Sequence, residues 1–275
     1  MTSAGEVSKV KRLLPKGTKV GHTGTLDPLA SGLLVLLIGR STRLSRYVTG
    51  LDKAYTAIAR FGAVSDTLDA DGENTRLDTP MPDQAAIRAA LPDLTGDLLQ
   101  TPPMASALKR GGVRLYDLHR CGLTVEREPR PVTVHALDLV ATDRENDSAT
   151  FEISCSSGTY VRTLIADLAE RLGTGAYLTA LRRTRVGHLP LERAATSDAL
   201  DALTIYSHII QSVEVLTHLP RVGVDREGER AVMSGRALPA QGLGCSFRVE
   251  FEGTLLGVYR DAGREARAEV VLCAG

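Results

Sequence analysis

An uncharged apolar run follows a loop-like segment near the start of the chain. Residues 21–32 contain three glycines, one proline and a single acid, Asp27. Gly and Pro punctuate loops, and the next six residues, Leu33 to Ile38, carry no charge. A short apolar run bounded by turn residues is typical of a buried strand. The pattern therefore predicts that Asp27 lies on a tight loop leading into a strand that is covered on both faces.

The spacing of apolar positions predicts further elements along the chain. Alternation over residues 54–61 and 151–155 predicts two strands, the first with Tyr55 on one face. Helical spacing over 159–172 predicts a helix that ends at Gly173. Shorter helices are predicted before Pro15 and after Asp83, and helical connections over 188–218. From about Leu219, short alternating stretches predict a small β-barrel.

Charge is distributed unevenly although the net charge is zero. Residues 1–60 hold ten Lys or Arg and three acids, a balance of +7, whereas residues 61–100 hold two basic residues and eight acids, a balance of −6. Residues 101–135 return to +3. Such asymmetry can place a basic face against phosphates in a neutral protein, or it can simply solvate the surface.

Composition excludes several classes of protein. Of the residues, 43% are hydrophobic, which supports a core in a chain long enough for one large domain or one with a small appendage. No apolar stretch approaches the ~18 residues of a membrane span, and the first residues lack the apolar region of a secretory signal. The cysteines, Cys121, Cys155, Cys245 and Cys273, lack zinc-ligand spacing. We expect reduced thiols and a cytoplasmic protein.

Two charged residues need a structural explanation. Asp27 is the only acid between Glu6 and Asp52, so it is either a turn residue, as Asp before Pro often is, or a working carboxylate in a basic cleft. Arg162 falls in the first turn of the predicted helix 159–172. Because the helix dipole disfavours a cation there, Arg162 needs a partner.

Residues 66–72 lack the ligand spacing of a calcium loop, and we expect no metal site.

The segment Gly-His-Thr-Gly-Thr-Leu-Asp-Pro-Leu-Ala-Ser-Gly, residues 21–32, resembles the catalytic loop of the TruB-type tRNA pseudouridine synthases. Three further stretches resemble the motifs of that family and occur in its order. These are Lys-Ala-Tyr at 53–55, Gly-Thr-Tyr-Val-Arg-Thr at 158–163 and Leu-Arg-Arg-Thr-Arg-Val-Gly at 181–187. The resemblance covers nearly the whole chain.

The resemblance implies roles for individual residues. Asp27 would be the essential carboxylate, and Arg162 would pair with it. Tyr55, which β-propensity alone makes a core residue of its strand, would stack on the target base, a contact worth ~1–3 kcal/mol. Asp69 would border the site and pair with a basic neighbour, although a solvated turn fits it almost as well. The substrate-binding residues implied by the resemblance are His22, Arg43, Asp69, Lys109, Tyr160 and Leu181.

The implied architecture is an α+β pseudouridine synthase fold with a central mixed, largely antiparallel sheet flanked by helices and loops, plus a small C-terminal PUA-like β-barrel. We expect a catalytic domain over residues 1–218 and the PUA-like domain over 219–275. A thumb-like RNA-binding insertion would occupy about 102–132, with Ala105 where relatives have Tyr. The family's N-terminal strand is expected to be missing, because the chain starts late relative to the family.

The resemblance implies isomerisation of uridine to pseudouridine at position 55, in the T-loop of tRNA. The base must leave its stack for this chemistry, and uracil itself carries the reaction, so we expect no cofactor. The expected partner is the T-arm of tRNA, with no membrane, no obligatory protein partner and a monomeric state. Two alternatives stay open: a guide-RNA-dependent enzyme of the dyskerin type, and a non-enzymatic tRNA folding factor.

Overall fold

The computed structural model of the protein describes residues 2–272, except for the side chains of Lys109, Arg110 and Arg114. Cys121, Cys155 and Cys245 are free thiols, as predicted, and Cys273 lies outside the described residues. The α-helices are α1 Ser3–Arg12, α2 Ser45–Thr49, α3 Gln84–Ala90, α4 Leu115–Arg120, α5 Val161–Arg171, α6 Ser212–Val215 and α7 Arg226–Met233. Short 3₁₀ helices lie at Gly39–Leu44, Leu91–Leu94, Leu191–Arg193, Ser197–Ala199 and Thr204–His208.

The strands, in chain order, are β1 Val20–His22, β2 Ser31–Gly32, β3 Leu36–Ile38, β4 Lys53–Phe61, β5 Ala63–Ser65, β6 Asn74–Arg76, β7 Gly96–Gln100, β8 Lys109–Arg110, β9 Val113–Arg114, β10 Arg130–Asp143, β11 Ser148–Cys155, β12 Ala176–Val186, β13 Leu189–Pro190, β14 Arg221–Gly223, β15 Leu238–Pro239, β16 Ser246–Phe251, β17 Thr254–Ala262 and β18 Glu265–Val271. The chain divides into two compact units. Among the described residues, the first contains 2–3, 24–34 and 50–193, and the second contains 4–23, 35–49 and 194–272. The expected domain boundary near 219 stays a prediction.

A central sheet organises the first unit, in the order β13-β12-β4-β11-β10-β7. These neighbours are antiparallel, and the short β2 adds a parallel pairing to β12. The predicted mixed, largely antiparallel sheet is therefore confirmed. Because β4 lies between β11 and β12, Tyr55 on β4 has Ile153 opposite it on one side and Arg183 on the other.

Helix α5 and the sheet share one apolar core. Ala57 and Ala59 on β4 are fully buried there, and their small side chains leave room for the larger residues of α5. Leu164, Ile165 and Leu168 of α5 are also fully buried, and burial of each such side chain contributes about 1.5–3 kcal/mol. This packing fixes the start of α5, where Arg162 lies.

The helix predictions hold with small changes at the ends. The side chain of Asp83 accepts a hydrogen bond from the amide of Ala86, so it caps α3 as expected. Gly173 has a φ of +72° just beyond α5, the left-handed conformation of a C′ residue. Tyr160 is the N-cap residue of α5 rather than part of its first turn.

The single strand predicted for Leu33–Ile38 is wrong. Only residues 31–32 and Leu36–Ile38 are strands, and they pair with different partners, β12 and β1. Leu33 and Leu37 are buried, whereas Leu34, Val35 and Leu36 are partly exposed, so the segment is not covered on both faces. The backbone changes partner within an apolar run, and nothing in that run marks the change.

Residues 101–129 form an insertion between two neighbouring strands. Strand β7 ends before the insertion, β10 begins after it, and the two strands pair antiparallel. The insertion contains the β8–β9 hairpin and α4. The expected thumb-like segment thus begins and ends at the same end of two neighbouring strands of the central sheet.

The second unit contains the expected β-rich C-terminal region. Five strands pair in the order β14-β16-β17-β18-β15. Phe247, Val249 and Tyr259 are fully buried in its core, and α7 contributes the fully buried Val232. Strands β16, β17 and β18 lie in the region where short alternating stretches were predicted, from about Leu219 onwards.

Candidate active site

The loop that carries Asp27 is held at its start by Ser3. The amide of Leu26 donates a hydrogen bond of 2.8 Å to the Ser3 hydroxyl, and this hydroxyl donates to the Leu26 carbonyl at 3.3 Å. Immediately afterwards, the amide of Ala30 donates to the Asp27 carbonyl at 2.9 Å, which closes a turn around the acid. The backbone on both sides of Asp27 is therefore fixed.

The end of the same loop is fixed by a close approach of two backbones. Gly32 pairs with Arg183 of β12, with a φ of +97°. A Cβ atom on residue 32 would lie 2.3 Å from the Arg183 carbonyl oxygen and 2.8 Å from its nitrogen. Only glycine therefore allows this pairing. The next amide, of Leu33, donates to the Arg183 carbonyl at 2.8 Å.

Arg162 lies at the centre of the site, with 3% of its side chain exposed. Its Nε is 2.9 Å from Oδ2 of Asp27, and its Nη1 is 3.1 Å from Oδ2 of Asp69. It also donates hydrogen bonds of 2.8 Å to the carbonyls of Thr67 and Ala105. The partner that Arg162 requires is thus a pair of carboxylates, and residues distant in sequence meet around one guanidinium.

The contact between Arg162 and Asp27 is an ion pair rather than a well-aligned hydrogen bond. The resemblance implied that Arg162 pairs directly with Asp27. The distance agrees with that expectation, but the Nε–H bond is not directed at a hydrogen-bond acceptor. Side-chain exposure of Asp27 is 33%, whereas that of Asp69 is 4%. Part of the Asp27 carboxyl therefore stays accessible beside the buried guanidinium.

Asp69 is held from several directions at once. Its Oδ1 accepts hydrogen bonds from the Thr67 hydroxyl at 2.6 Å and from the Asp71 amide at 3.1 Å. Its Oδ2 faces Arg162. The neighbouring Ala70 amide donates to the carbonyl of Leu178 on β12 at 2.8 Å. These contacts agree with the expected basic neighbour rather than with a solvated turn, while a role in binding substrate stays a prediction.

Burial dominates the electrostatics of Asp27. It raises the pKa of the carboxyl above 3.8, and the charges of Asp69 and Asp71 raise it further, while the charge of Arg162 opposes them. The charge of Arg162 favours the ionised carboxyl. The pKa of Asp27 is nevertheless raised, because loss of water outweighs the pairing.

Tyr55 and Leu181 lie on neighbouring strands at the same end of the sheet. Tyr55 is partly exposed, and burial raises the pKa of its phenol, whereas the charge of Arg183 lowers it. Leu181 on β12 is buried, with 7% exposed. The charge of Asp27 also raises the pKa of Tyr55, so these two groups influence each other electrostatically.

Tyr160 is anchored by a residue that the sequence did not single out. Gln100, at the end of β7, accepts a hydrogen bond of 2.7 Å from the Tyr160 amide and donates one of 3.1 Å to its carbonyl. Gln100 is buried, with 4% exposed. It connects the strand before the insertion to the start of α5. No local sequence pattern marks Gln100, because Tyr160, which takes part in both hydrogen bonds, lies 60 residues away.

The structure does not test the roles of three expected substrate-binding residues. His22 on β1 and Arg43 belong to the second unit. Arg43 is exposed, and its Nη1 donates to the carbonyl of Val271 on β18. Lys109 begins the short strand β8, and its side chain lies outside the described part of the structure. Their roles stay predictions.

Two buried cations near Tyr55 were not predicted from the sequence. Lys53 is 6% exposed and Arg183 is 3% exposed. Burial and then the charge of Arg183 lower the pKa of Lys53 to about 8. Lys53 was recognised only as part of a motif, and Arg183 only as one of three arginines in 181–187.

Within residues 2–272, no group of three or more His, Cys, Asp or Glu side chains is arranged to hold a metal ion, and no helix there is long and apolar enough to cross a membrane.

Comparisons with known proteins agree on one family. The model for the N-terminal domain of the TruB family pseudouridylate synthases matches residues 11–161. The model for the tRNA pseudouridylate synthase B C-terminal domain matches residues 162–219. The chain is similar to tRNA pseudouridine synthase B of Aromatoleum aromaticum, at 44% identity over 94% of this chain and 84% of the relative. It is also similar to the enzyme of the same name from Burkholderia lata, at 45% identity over 95% and 84%.

Solved structures agree on the fold. The chain resembles one in the crystal structure of a Cbf5-Nop10-Gar1 complex, with a TM-score of 0.75 and 22% identity. That match covers 99% of this chain and 82% of the other. A chain in the archaeal box H/ACA sRNP Nop10-Cbf5 complex matches with a TM-score of 0.72. The predicted fold class, including the PUA-like C-terminal region, is therefore confirmed.

Proposed function

The chain belongs to the TruB family of pseudouridylate synthases, and from that premise we propose that it isomerises uridine to pseudouridine at position 55, in the T-loop of tRNA, with Asp27 as the catalytic carboxylate. The substrate is suggested by the names of the relatives, which are tRNA pseudouridine synthases. The position and the catalytic residue are what the resemblance of the four motifs to those of the family implies.

One observation carries the assignment of Asp27. Its carboxyl contacts the Arg162 guanidinium at 2.9 Å, yet a third of its side chain is exposed. Asp69 contacts the same guanidinium but is almost wholly buried. Of the two acids, only Asp27 is both oriented by a cation and open to a substrate. It is therefore the one that can meet the sugar or the ring of an extruded nucleotide.

The surrounding residues would each perform part of the reaction. Arg162 orients Asp27 and opposes its protonation. Tyr55 provides an aromatic ring for stacking the extruded uracil, and Leu181 provides an apolar wall beside it. If the reaction passes through a glycal, Tyr55 would also accept the sugar 2′ proton. The uracil leaves and rejoins the same sugar, so no cofactor enters the proposal.

The protein would recognise tRNA mainly through its basic segments. Residues 1–60 carry a balance of +7, and phosphate contacts supply most of the sequence-independent affinity of such proteins. The insertion over 101–129 would contact the T-arm. We propose a monomer that acts in the cytoplasm without guide RNA or an obligatory protein partner.

The test is incubation of purified protein with an unmodified tRNA transcript, followed by mapping of pseudouridine. The expected result is one modified position, 55, formed without added RNA or protein. A transcript with cytidine at 55 and the Asp27→Asn protein are the matched controls, and both should give none. Modification that requires an added guide RNA would instead favour the dyskerin-type alternative. Tight tRNA binding without any pseudouridine would favour the folding factor.

A further inference from the structure

Arg183 is a buried cation that the proposed reaction does not use. Its side chain lies on β12 directly opposite Tyr55 of β4, and directly opposed residues on neighbouring strands have Cβ atoms about 4.5–5.5 Å apart. Only 3% of Arg183 is exposed. Among the described residues, no carboxylate lies within the 4.0 Å salt-bridge distance of its guanidinium. A buried arginine normally has such a partner, so its location needs another explanation.

The partners of this guanidinium are two carbonyls of the Asp27 loop. Nε donates a hydrogen bond of 2.7 Å to the carbonyl of Leu33, and Nη2 donates one of 3.1 Å to the carbonyl of Gly24. Gly24 precedes Asp27 and Leu33 follows it, so one planar group connects both ends of the loop. The backbone of Arg183 adds a third bond, from the Leu33 amide.

We propose that Arg183 is a positioning residue, which fixes the Asp27 loop and the Tyr55 side chain relative to each other. This inference rests on the proposed function, since it assigns Asp27 and Tyr55 to one reaction. The argument is geometric: the same guanidinium is bonded to both ends of the loop and lies across the strand pair from Tyr55. Catalysis requires reacting groups within a fraction of an ångström, and a misplacement of about 1 Å can lower turnover about 100-fold.

The charge of Arg183 adds a second consequence. Burial raises the pKa of the Tyr55 phenol, and Arg183 is the strongest influence that opposes this rise. Because no carboxylate neutralises Arg183, its field acts on the phenol without a competing ion pair. The phenolate is the form that can accept a proton, and at a given pH it is more populated with Arg183 opposite Tyr55 than it would be without that charge.

Substitutions can separate the two effects. Arg183→Gln removes the charge and the planar fork, whereas Arg183→Lys keeps a charge but offers one nitrogen that cannot span both carbonyls. The matched control is Arg182→Gln, which makes the same change at the exposed neighbour on β12. For pseudouridine formation in tRNA, we expect Arg183→Gln to lower kcat about 100-fold with KM changed less than about threefold. Arg182→Gln should leave kcat unchanged.

Two measurements without substrate complete the test. Tyrosinate absorbance, taken as the difference between each protein and its Tyr55→Phe counterpart, reports ionisation of Tyr55. We expect Arg183→Gln to move this titration to higher pH and Arg183→Lys to leave it near that of the unsubstituted protein. Hydrogen exchange of residues 24–34 should become faster in both variants, while exchange of β4 and β11 stays slow.

Several results would overturn the inference. One is a kcat for Arg183→Gln within threefold of the unsubstituted protein, and another is an unchanged Tyr55 titration in that variant. If Arg183→Gln does not fold, Arg183→Lys decides: a kcat that falls less than about tenfold contradicts the loop role. If the unsubstituted protein forms no pseudouridine, the proposed function fails, while exchange and titration still decide on Arg183.

Discussion

Replacement of Arg162 by methionine should separate what this residue does for stability from what it does for catalysis. Methionine keeps much of the buried volume but removes the guanidinium. The change breaks the contacts of 2.9 and 3.1 Å to Asp27 and Asp69 and the two hydrogen bonds of 2.8 Å to backbone carbonyls. Asp27 is partly hydrated, but Asp69 is left buried without its cation.

The magnitude follows from these contacts. At such separations and an effective dielectric constant of about 20, Coulomb's law gives roughly 5–6 kcal/mol for each ion pair. Burial of the guanidinium opposes this by several kcal/mol, and removal of one partner from a buried pair costs about 3–5 kcal/mol in practice. We therefore expect Arg162→Met to lower the free energy of unfolding of the first unit by about 3–5 kcal/mol. Adding Asp69→Asn should recover about 1–3 kcal/mol, because it removes the uncompensated carboxylate.

The assay must resolve the two compact units, since a chain with two units need not unfold in one step. Hydrogen exchange of peptides from β4 and β11 reports the opening free energy of the first unit. Turnover on a tRNA transcript is measured in parallel. The double variant should regain part of the exchange protection but no turnover, because Asp27 still lacks its orienting partner. Arg162→Lys is the control that retains charge, and it should not restore turnover fully, because an ammonium lacks the planar fork.

Two results would refute this reasoning. The first is unchanged exchange protection of β4 and β11 in Arg162→Met. This result would mean that Asp69 becomes solvated or protonated without its partner at no cost to the stability of the first unit. The second is recovery of turnover together with stability in the double variant. In that case Arg162 would contribute only to folding, and Asp27 would need no cation beside it.

Five further outcomes follow from the site and from the charge distribution. Asp27→Asn should abolish isomerisation while tRNA binding changes by less than about tenfold, or ~1.4 kcal/mol, as measured by filter binding; an active variant free of deamidation would contradict the assignment. The ionised carboxylate is lost as pH falls through the raised pKa of Asp27, so kcat/KM should fall at higher pH than an unperturbed Asp would dictate. Asp71→Asn should move this acidic limb to lower pH, because the charge of Asp71 raises that pKa. Gly32→Ala should lower turnover more than tenfold through backbone displacement, whereas Gly96→Ala, at the same φ of +97° but in open space, should not. Binding of tRNA should weaken steeply with salt, with a log–log slope of about −0.7 to −0.9 per phosphate contacted, and a flat dependence would mean that the basic residues do not face the RNA.

The elements that periodicity predicted well are those whose neighbours repeat a simple pattern. Strand β4 alternates because one face meets the core, and α5 has an apolar face for the same reason. The apolar run 33–38 failed because its backbone pairs with β12 at one end and with β1 at the other. Pairing partners distant in the chain leave no local signal, and hydrophobicity alone cannot divide such a run.

The charged residues of the site show a second limit. The dipole argument correctly demanded a partner for Arg162, and the family motif named Asp27. The raised pKa of Asp27 could not be predicted, since a sequence shows which charges exist but not how much water they lose. Arg183 is the clearest case. Its acceptors are backbone carbonyls 150 and 159 residues away, and every residue type presents a carbonyl.

The two buried arginines divide the electrostatic work of the site between its two candidate catalytic acids. Burial raises the pKa of both Asp27 and Tyr55, which disfavours the ionised form of each. Arg162 is the main group opposing this for Asp27, and Arg183 is the main group opposing it for Tyr55. Arg162 is shared with Asp69, whereas Arg183 has no carboxylate partner among the described residues. In the proposed reaction, each of these two groups therefore depends on its own guanidinium for ionisation, and we expect that neither arginine can substitute for the other.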